Sequence, residues 1–216
     1  MINVMLVDDH DLVRTGVKRL LEDNGGFRIV AEATSGEQAL ELIRETHPQV
    51  VLMDINMPGI GGLEATSKLL RQKADLKIII ISMHTDELFP QRVLKAGAMG
   101  YLTKGSHIDE IVHAIHEVLA NRHYITPEIA QQLALAQVEK SGLSPFDGLS
   151  ARELQVMLMM MEGKKINDIS EALCLSPKTV STYRHRLYEK VGVKSDVELA
   201  RLALFHGLIE NVPFKT

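Results

Sequence analysis

Along residues 1–120, short apolar runs alternate with stretches whose apolar positions recur at helical spacing. The runs at Ile2–Val7, Phe27–Ala33, 50–53, Lys77–Ser82 and 99–102 are too short for free-standing helices and read as strands. Between them, helical spacing covers 12–21 (Val13, Val17, Leu20, Leu21), 35–46 with Ser35 as N-cap, 63–72, about 86–95, and 108–119. Five strands alternating with five helices predict an α/β doubly wound parallel sheet.

The pattern then changes. Residues 120–142 read as a linker with a short helix: Thr126-Pro127 starts it, Ile129, Leu133 and Ala136 line one face through Val138, and Ser141-Gly142 and Ser144-Pro145 break it. Residues 143–208 predict four helices and no strand. Ser150 and Glu153 form a capping box ahead of Leu154, Met157, Leu158 and Met161, with Met159-Met160-Met161 as core filling. Gly163 ends that helix, a second covers 166–173, Cys174-Leu175 turns, Ser176-Pro177 opens a third, and Ser195 caps a fourth through 198–206. In the third helix Val180, Tyr183 or Arg184, Leu187 and Val191 face inward, leaving Lys178, Ser181, Thr182 and His185 on the other side. A short helix, a tight turn and a polar, mildly basic helix is the helix-turn-helix layout, whose second helix enters the major groove. The competing reading is a merely solvated helix face.

Composition narrows the class. The 216 residues are 45% hydrophobic and 24% charged, an ordinary globular balance with room for two domains. Met1-Ile2-Asn3-Val4 runs into Asp8 and Asp9 without the basic and apolar regions of a signal peptide, and no apolar stretch approaches a membrane span. The one cysteine, Cys174, excludes an internal disulfide and suits a reducing cytosol, so a soluble, cytoplasmic protein is expected. The net charge of −4 divides unevenly: residues 1–120 carry −5 and residues 143–216 carry +1, which permits nucleic-acid binding at the C-terminal end.

Polar residues collect at one edge of the expected sheet. Asp8 and Asp9 follow the first strand, Asp54 ends the third, Ser82 ends the fourth and Lys104 follows the fifth. Parallel α/β sheets bind ligands outside the carboxyl ends of their strands. Clustered carboxylates repel and raise one another's pKa unless a cation joins them, and hard oxygen ligands select Mg²⁺. Mg²⁺ beside a carboxylate, a lysine and a hydroxyl suits phosphoryl transfer, with Asp54 best placed as nucleophile for an aspartyl phosphate.

These residues, with the runs Leu6-Val7-Asp8-Asp9-His10 and Leu52-Met53-Asp54-Ile55-Asn56-Met57-Pro58-Gly59 and Lys104 after Gly100-Tyr101-Leu102, resemble the receiver domain of two-component response regulators over residues 3–119. The resemblance implies a flavodoxin-like sheet of order 2-1-3-4-5, Asp54 as phosphoacceptor, and Mg²⁺ held by Asp9, Asp54 and the Asn56 carbonyl with Asp8 in support. It further implies that Ser82 and Lys104 contact phosphoryl oxygens and that Tyr101 swings inward as a switch. Asn56 and His84 border the phosphoryl group and bear on its lifetime. Gly105 stands where many receivers carry proline. Leu149-Ser150-Ala151-Arg152-Glu153 and Leu175-Ser176-Pro177-Lys178-Thr179-Val180 resemble the LuxR-type helix-turn-helix domain over 143–208, with the motif itself at 167–186 and Ser170 where alanine is usual. There Ser181, Thr182 and His185 would approach base edges while Lys165, Lys178, Thr179 and Arg186 contact phosphates. Leu199, Leu202 and Ala203 lie on the helix that commonly forms the DNA-bound homodimer. Together the chain is similar to NarL/FixJ-type response regulators and, among them, to the GacA/UvrY group. That implies a hybrid sensor histidine kinase and promoter DNA of small regulatory RNAs as partners, with no membrane partner and no enzymatic role beyond the chain's own phosphorylation and dephosphorylation.

Two other functions compete. Asp9-His10-Asp11 has the DxD form used after a first strand in haloacid-dehalogenase-like phosphatases, a reading that leaves Asp54 idle and lacks a cap domain. The helix-turn-helix could also bind protein instead of DNA, which a gel shift with genomic fragments separates.

Overall fold

The computed structural model describes residues 1–83, 88–139, 144–206 and 208, without the side chains of 88 and 136–139. His84, the helix start at Asp86, Ser141-Gly142 and the Ala136 and Val138 side chains lie outside what is described. The chain divides into two compact units, residues 1–138 and 139–216.

The first unit follows the alternation of the sequence: β1 (Ile2–Val7), α1 (Asp11–Asn24), β2 (Phe27–Ala33), α2 (Gly36–Thr46), β3 (Val50–Asp54), α3 (Gly61–Gln72), β4 (Lys77–Ser82), α4 (Leu88–Lys95), β5 (Gly100–Thr103) and α5 (Ile108–Leu119). The pairings are parallel and the strand order is β2-β1-β3-β4-β5-β6, the last being β6 (Tyr124–Ile125). Alternate residues Val4 and Leu6, Val50 and Leu52, Ile79 and Ile81 build one core with Leu21 of α1 and Ile111, Ala114, Ile115 and Val118 of α5. The intervening Met5, Val7, Val51, Met53, Ile78 and Ile80 are equally buried, so both faces of β1, β3 and β4 are covered and these three strands read as continuous apolar runs. Ser35 caps α2, its Oγ accepting the Gln38 N–H at 3.3 Å.

Two expectations change. The sheet has six strands, not five, because the start of the expected linker pairs with the β5 edge, Gly100 opposite Tyr124 and Tyr101 opposite Ile125. Two residues carry no periodicity, so the strand has no signature of its own. Helix α6 (Pro127–Glu139) follows it, burying Ile129 and leaving Leu133 partly covered. Leu20 lies about half exposed while its neighbour Leu21 is buried, since successive helical residues point about 100° apart and only one can face the sheet. The corner after β5 closes without proline, the Thr103 carbonyl accepting the Ser106 N–H at 3.0 Å.

The second unit comprises α7 (Ala151–Met161), α8 (Ile166–Ala172), α9 (Pro177–Val191) and α10 (Asp196–Phe205). Each start is fixed by a side-chain cap or an N-terminal carboxylate. Ser150 Oγ accepts the Glu153 N–H at 3.3 Å while Glu153 accepts the Ser150 N–H at 2.7 Å. Ser176 accepts from Thr179 N at 3.1 Å, Ser195 from Glu198 N at 3.2 Å, and Asp168 from Lys165 N at 3.0 Å. Because Ser195 is the cap, α10 begins at the next residue, two ahead of the expected start. Val156, Met159, Ile169, Leu173 and Val180 pack α7, α8 and α9 together.

Candidate functional site

The register brings the polar strand ends to one rim. Val7 pairs with Met53, Asp54 with Ile81 and Ser82 with Thr103, so the residues after β1, β3, β4 and β5 emerge side by side. Lys104 Nζ lies 2.8 Å from Asp54 Oδ2 and 2.9 Å from Asp8 Oδ2, and the Lys104 N–H donates to the Ser82 carbonyl at 2.9 Å. Asp54 Oδ1 accepts the Asn56 N–H at 3.2 Å. Asp54 and Ser82 are buried, and Asp9 and Asn56 stand at the exposed rim.

Burial pushes the Asp54 carboxyl above its usual range, with the Lys104 ammonium opposing and the Asp8 charge adding to the rise. Burial pulls Lys104 down, but Asp54 and Asp8 together hold it above the usual lysine value. Lys104 is thus a firmly cationic bridge between two carboxylates.

One donor atom each from Asp8, Asp9, His10 and Asp54 lies within 4.8 Å of the others. Three hard oxygen donors at a rim open to water fit Mg²⁺, which keeps several waters and takes few carboxylates.

Residues outside the expected set complete the site. Arg14 Nη1 donates to the Asp8 carbonyl at 2.7 Å and its other terminal nitrogen pairs with Asp11. Asp11 therefore belongs to the first turn of α1 and is turned to Arg14, away from a DxD arrangement. Glu37 at the start of α2 accepts the Ile60 N–H at 2.9 Å, tying down the loop that carries Asn56. Neither Arg14 nor Glu37 shows a sequence signal beyond an ordinary helix-surface charge. Tyr101 is fully buried, and its carbonyl accepts the Thr126 N–H at 3.3 Å.

In the second unit Val180, Leu187 and Val191 of α9 are buried, which leaves Lys178, Ser181, Thr182, His185 and Arg186 exposed and Thr179 partly so. Ser181 and Thr182 fold their hydroxyls onto the Pro177 and Lys178 carbonyls at 2.9 and 3.0 Å, and His185 Nε2 sits 3.4 Å from Glu189 Oε1. Lys165 is exposed just ahead of α8. Ser170 is accommodated where a small residue is needed because its Oγ donates to the Asn167 carbonyl at 2.7 Å. The α8–α9 turn places Cys174 at φ 52° and closes with the Leu175 N–H on the Ser170 carbonyl at 2.8 Å. His113 and His116 are exposed, beside the Tyr124 and Phe27 rings at 5.3 and 5.9 Å.

A parallel sheet with an acid–lysine cluster at its carboxyl edge, followed by a helix-turn-helix unit, defines a two-component response regulator, and the chain belongs to that family. The response regulator receiver domain matches residues 4–116, and the luxR family of bacterial regulatory proteins matches residues 147–203. The chain is 53% identical over 211 residues to the response regulator GacA of Pseudomonas aeruginosa, covering 97% of this chain and 99% of the relative. It is 54% identical over 209 residues to the response regulator UvrY of Escherichia coli, covering 96% of each. Among solved structures, a LuxR-family two-component response regulator from Aurantimonas superposes with a TM-score of 0.61 at 44% identity, over 63% of this chain and 98% of that one. RcsB of Salmonella enterica serovar Typhimurium, bound to promoter rprA with a phosphomimetic, shares the fold at a TM-score of 0.68 and 23% identity, over 93% and 97% of the two chains. The protein is a transcription regulator of LuxR type, and the family match replaces the phosphatase reading. No helix among the described residues is long and apolar enough to cross a membrane.

Proposed function

We propose that Asp54 accepts a phosphoryl group from a sensor histidine kinase and that the phosphorylated protein binds promoter DNA as a homodimer. The carrying observation is the 2.8 Å contact between the buried Asp54 carboxylate and Lys104, itself 2.9 Å from Asp8. In the transfer an Asp54 oxygen forms the new O–P bond as the P–N bond to the kinase imidazole breaks, and the imidazole leaves. Lys104 and Ser82 stabilise charge on the phosphoryl oxygens, and the Asn56 N–H orients the nucleophile. Asp8, Asp9, Asp54 and the Asn56 carbonyl would hold Mg²⁺, which when bound neutralises the transferring oxygens. The phosphoryl group then fixes the inward placement of Tyr101. This is a single transfer onto the protein itself, not turnover of a substrate.

On the DNA side, Lys165, Lys178, Thr179 and Arg186 take phosphates, and Ser181, Thr182 and His185 read bases once the two hydroxyls turn from the α9 carbonyls and the imidazole turns from Glu189. The receiver resemblance covers 3–119 and the DNA-binding resemblance 143–208, and the linker expected over 120–142 opens on strand β6 before it leaves the sheet. The likeness to GacA and UvrY supports a hybrid kinase and promoters of small regulatory RNAs, and the DNA partner supports a cytoplasmic location. The test is labelling by a small phosphodonor with Mg²⁺: the protein takes up one phosphoryl group and Asp54→Asn takes up none. Persistent labelling of Asp54→Asn would remove the assignment.

A further inference from the structure

His10 has no part in the transfer chemistry, yet its ring is turned into the carboxylate cluster. Its Nδ1 lies 3.1 Å from Asp8 Oδ1, 3.1 Å from Asp9 Oδ1 and 4.0 Å from Asp54 Oδ2. The His10 backbone N–H donates to the same Asp8 Oδ1 at 2.8 Å, so main chain and side chain are both held toward that carboxylate. Lys104 Nζ also lies 3.5 Å from Nδ1. Asp54 and Asp8 are almost fully buried, whereas the His10 side chain is 60% exposed and leaves the rim open to solvent.

We propose that His10 supplies a nitrogen ligand to this site, so that it takes a borderline divalent transition-metal ion such as Co²⁺, Ni²⁺ or Zn²⁺ in competition with Mg²⁺. The inference rests on the reading of the cluster as a Mg²⁺ site. An all-oxygen donor set suits Mg²⁺, which sheds water reluctantly and gains little from imidazole. Imidazole nitrogen adds affinity for the later transition metals, which already bind oxygen sites more tightly than Mg²⁺ does. His10 therefore widens the preference toward those ions without strengthening Mg²⁺.

The test is calorimetric titration of the untagged full chain with Mg²⁺ and with Co²⁺, alongside the Co²⁺ absorption spectrum. The chain has nine histidines, so only the Co²⁺ that Mg²⁺ displaces is counted. The expected result is Co²⁺ binding that weakens roughly tenfold in His10→Ala, with a changed visible spectrum, while the Mg²⁺ affinity stays within about twofold. His10→Gln, which keeps a polar side chain, is expected to show the same selective loss and guards against a folding defect in His10→Ala. Equal Co²⁺ affinity and spectrum in all three proteins overturns the nitrogen ligand, provided Asp54→Asn abolishes Mg²⁺ binding. Mg²⁺ binding indifferent to Asp54→Asn overturns the underlying metal site as well.

Discussion

Gly62 at the start of α3 presses against the main chain of Asp54: a Cβ at position 62 would collide with the Asp54 carbonyl oxygen and stand 2.8 Å from the Ile55 Cα. The contact is backbone to backbone, reinforced by the Gly62 N–H on the Ile55 carbonyl at 3.0 Å, so no side chain can yield. Gly62→Ala is expected to cost about 2 kcal/mol by overpacking and to displace Asp54 itself. Thermal melting and phosphodonor labelling measured together check this, since both should fall.

Lys104→Met leaves Asp8 and Asp54 facing each other without a cation. Asp54 already sits above its usual range through burial, and the substitution raises it further. A carboxyl whose folded pKa exceeds its unfolded value holds its proton longer in the native state. Stability therefore falls as pH rises from the unfolded pKa through the folded one. Lys104→Met should be destabilised by about 3 kcal/mol at neutral pH. It should recover on acidification or on adding Mg²⁺, and urea titrations across pH 4–8 give the readout. A pH-independent loss counts against the charge argument.

Glu153 behaves in the opposite sense. Burial works against its charge, but Lys190 at 2.7 Å and the Ser150 N–H and hydroxyl outweigh it and hold the carboxyl below the usual range. Its contribution is complete above the unfolded glutamate pKa and is lost as pH falls through the lower folded value. Glu153→Gln should destabilise by about 1–2 kcal/mol at pH 7, the scale of a lost cap. The gap to the unaltered protein should close in acid, as followed by denaturant titration of the full chain.

For DNA, Lys178→Ala should weaken binding to every sequence and lower the slope of log affinity against log salt by about 1. His185→Ala should leave the salt slope unchanged and alter sequence preference. Gel shifts over a salt series with selected and scrambled DNA separate the two. A loss confined to one promoter in Lys178→Ala would count against a phosphate contact.

The inner strands β1, β3 and β4 and the residues at the carboxyl edge were legible because buried parallel strands write unbroken apolar runs that a polar residue ends or follows, whereas the strand order came from the resemblance to receiver domains. The caps at Ser35, Ser150, Ser176 and Ser195 were legible for a similar reason: a hydroxyl before a helical pattern has one local use. Arg14, Glu37 and the inward ring of His10 were not, since each acts through a partner set by tertiary folding. Glu37 reaches Ile60 across 23 positions, and no local pattern encodes that distance. The strand β6 failed for want of length.

That short strand bears on how such proteins are recombined. A chimera joined just after α5 would strip β6 away and expose the N–H and C=O groups of β5, an open edge inviting association with other chains. The transplantable sensory module therefore extends through Thr126, and hybrids cut there should remain monodisperse where hybrids cut at residue 119 aggregate. The joint between input and output is a piece of the sheet before it is a tether.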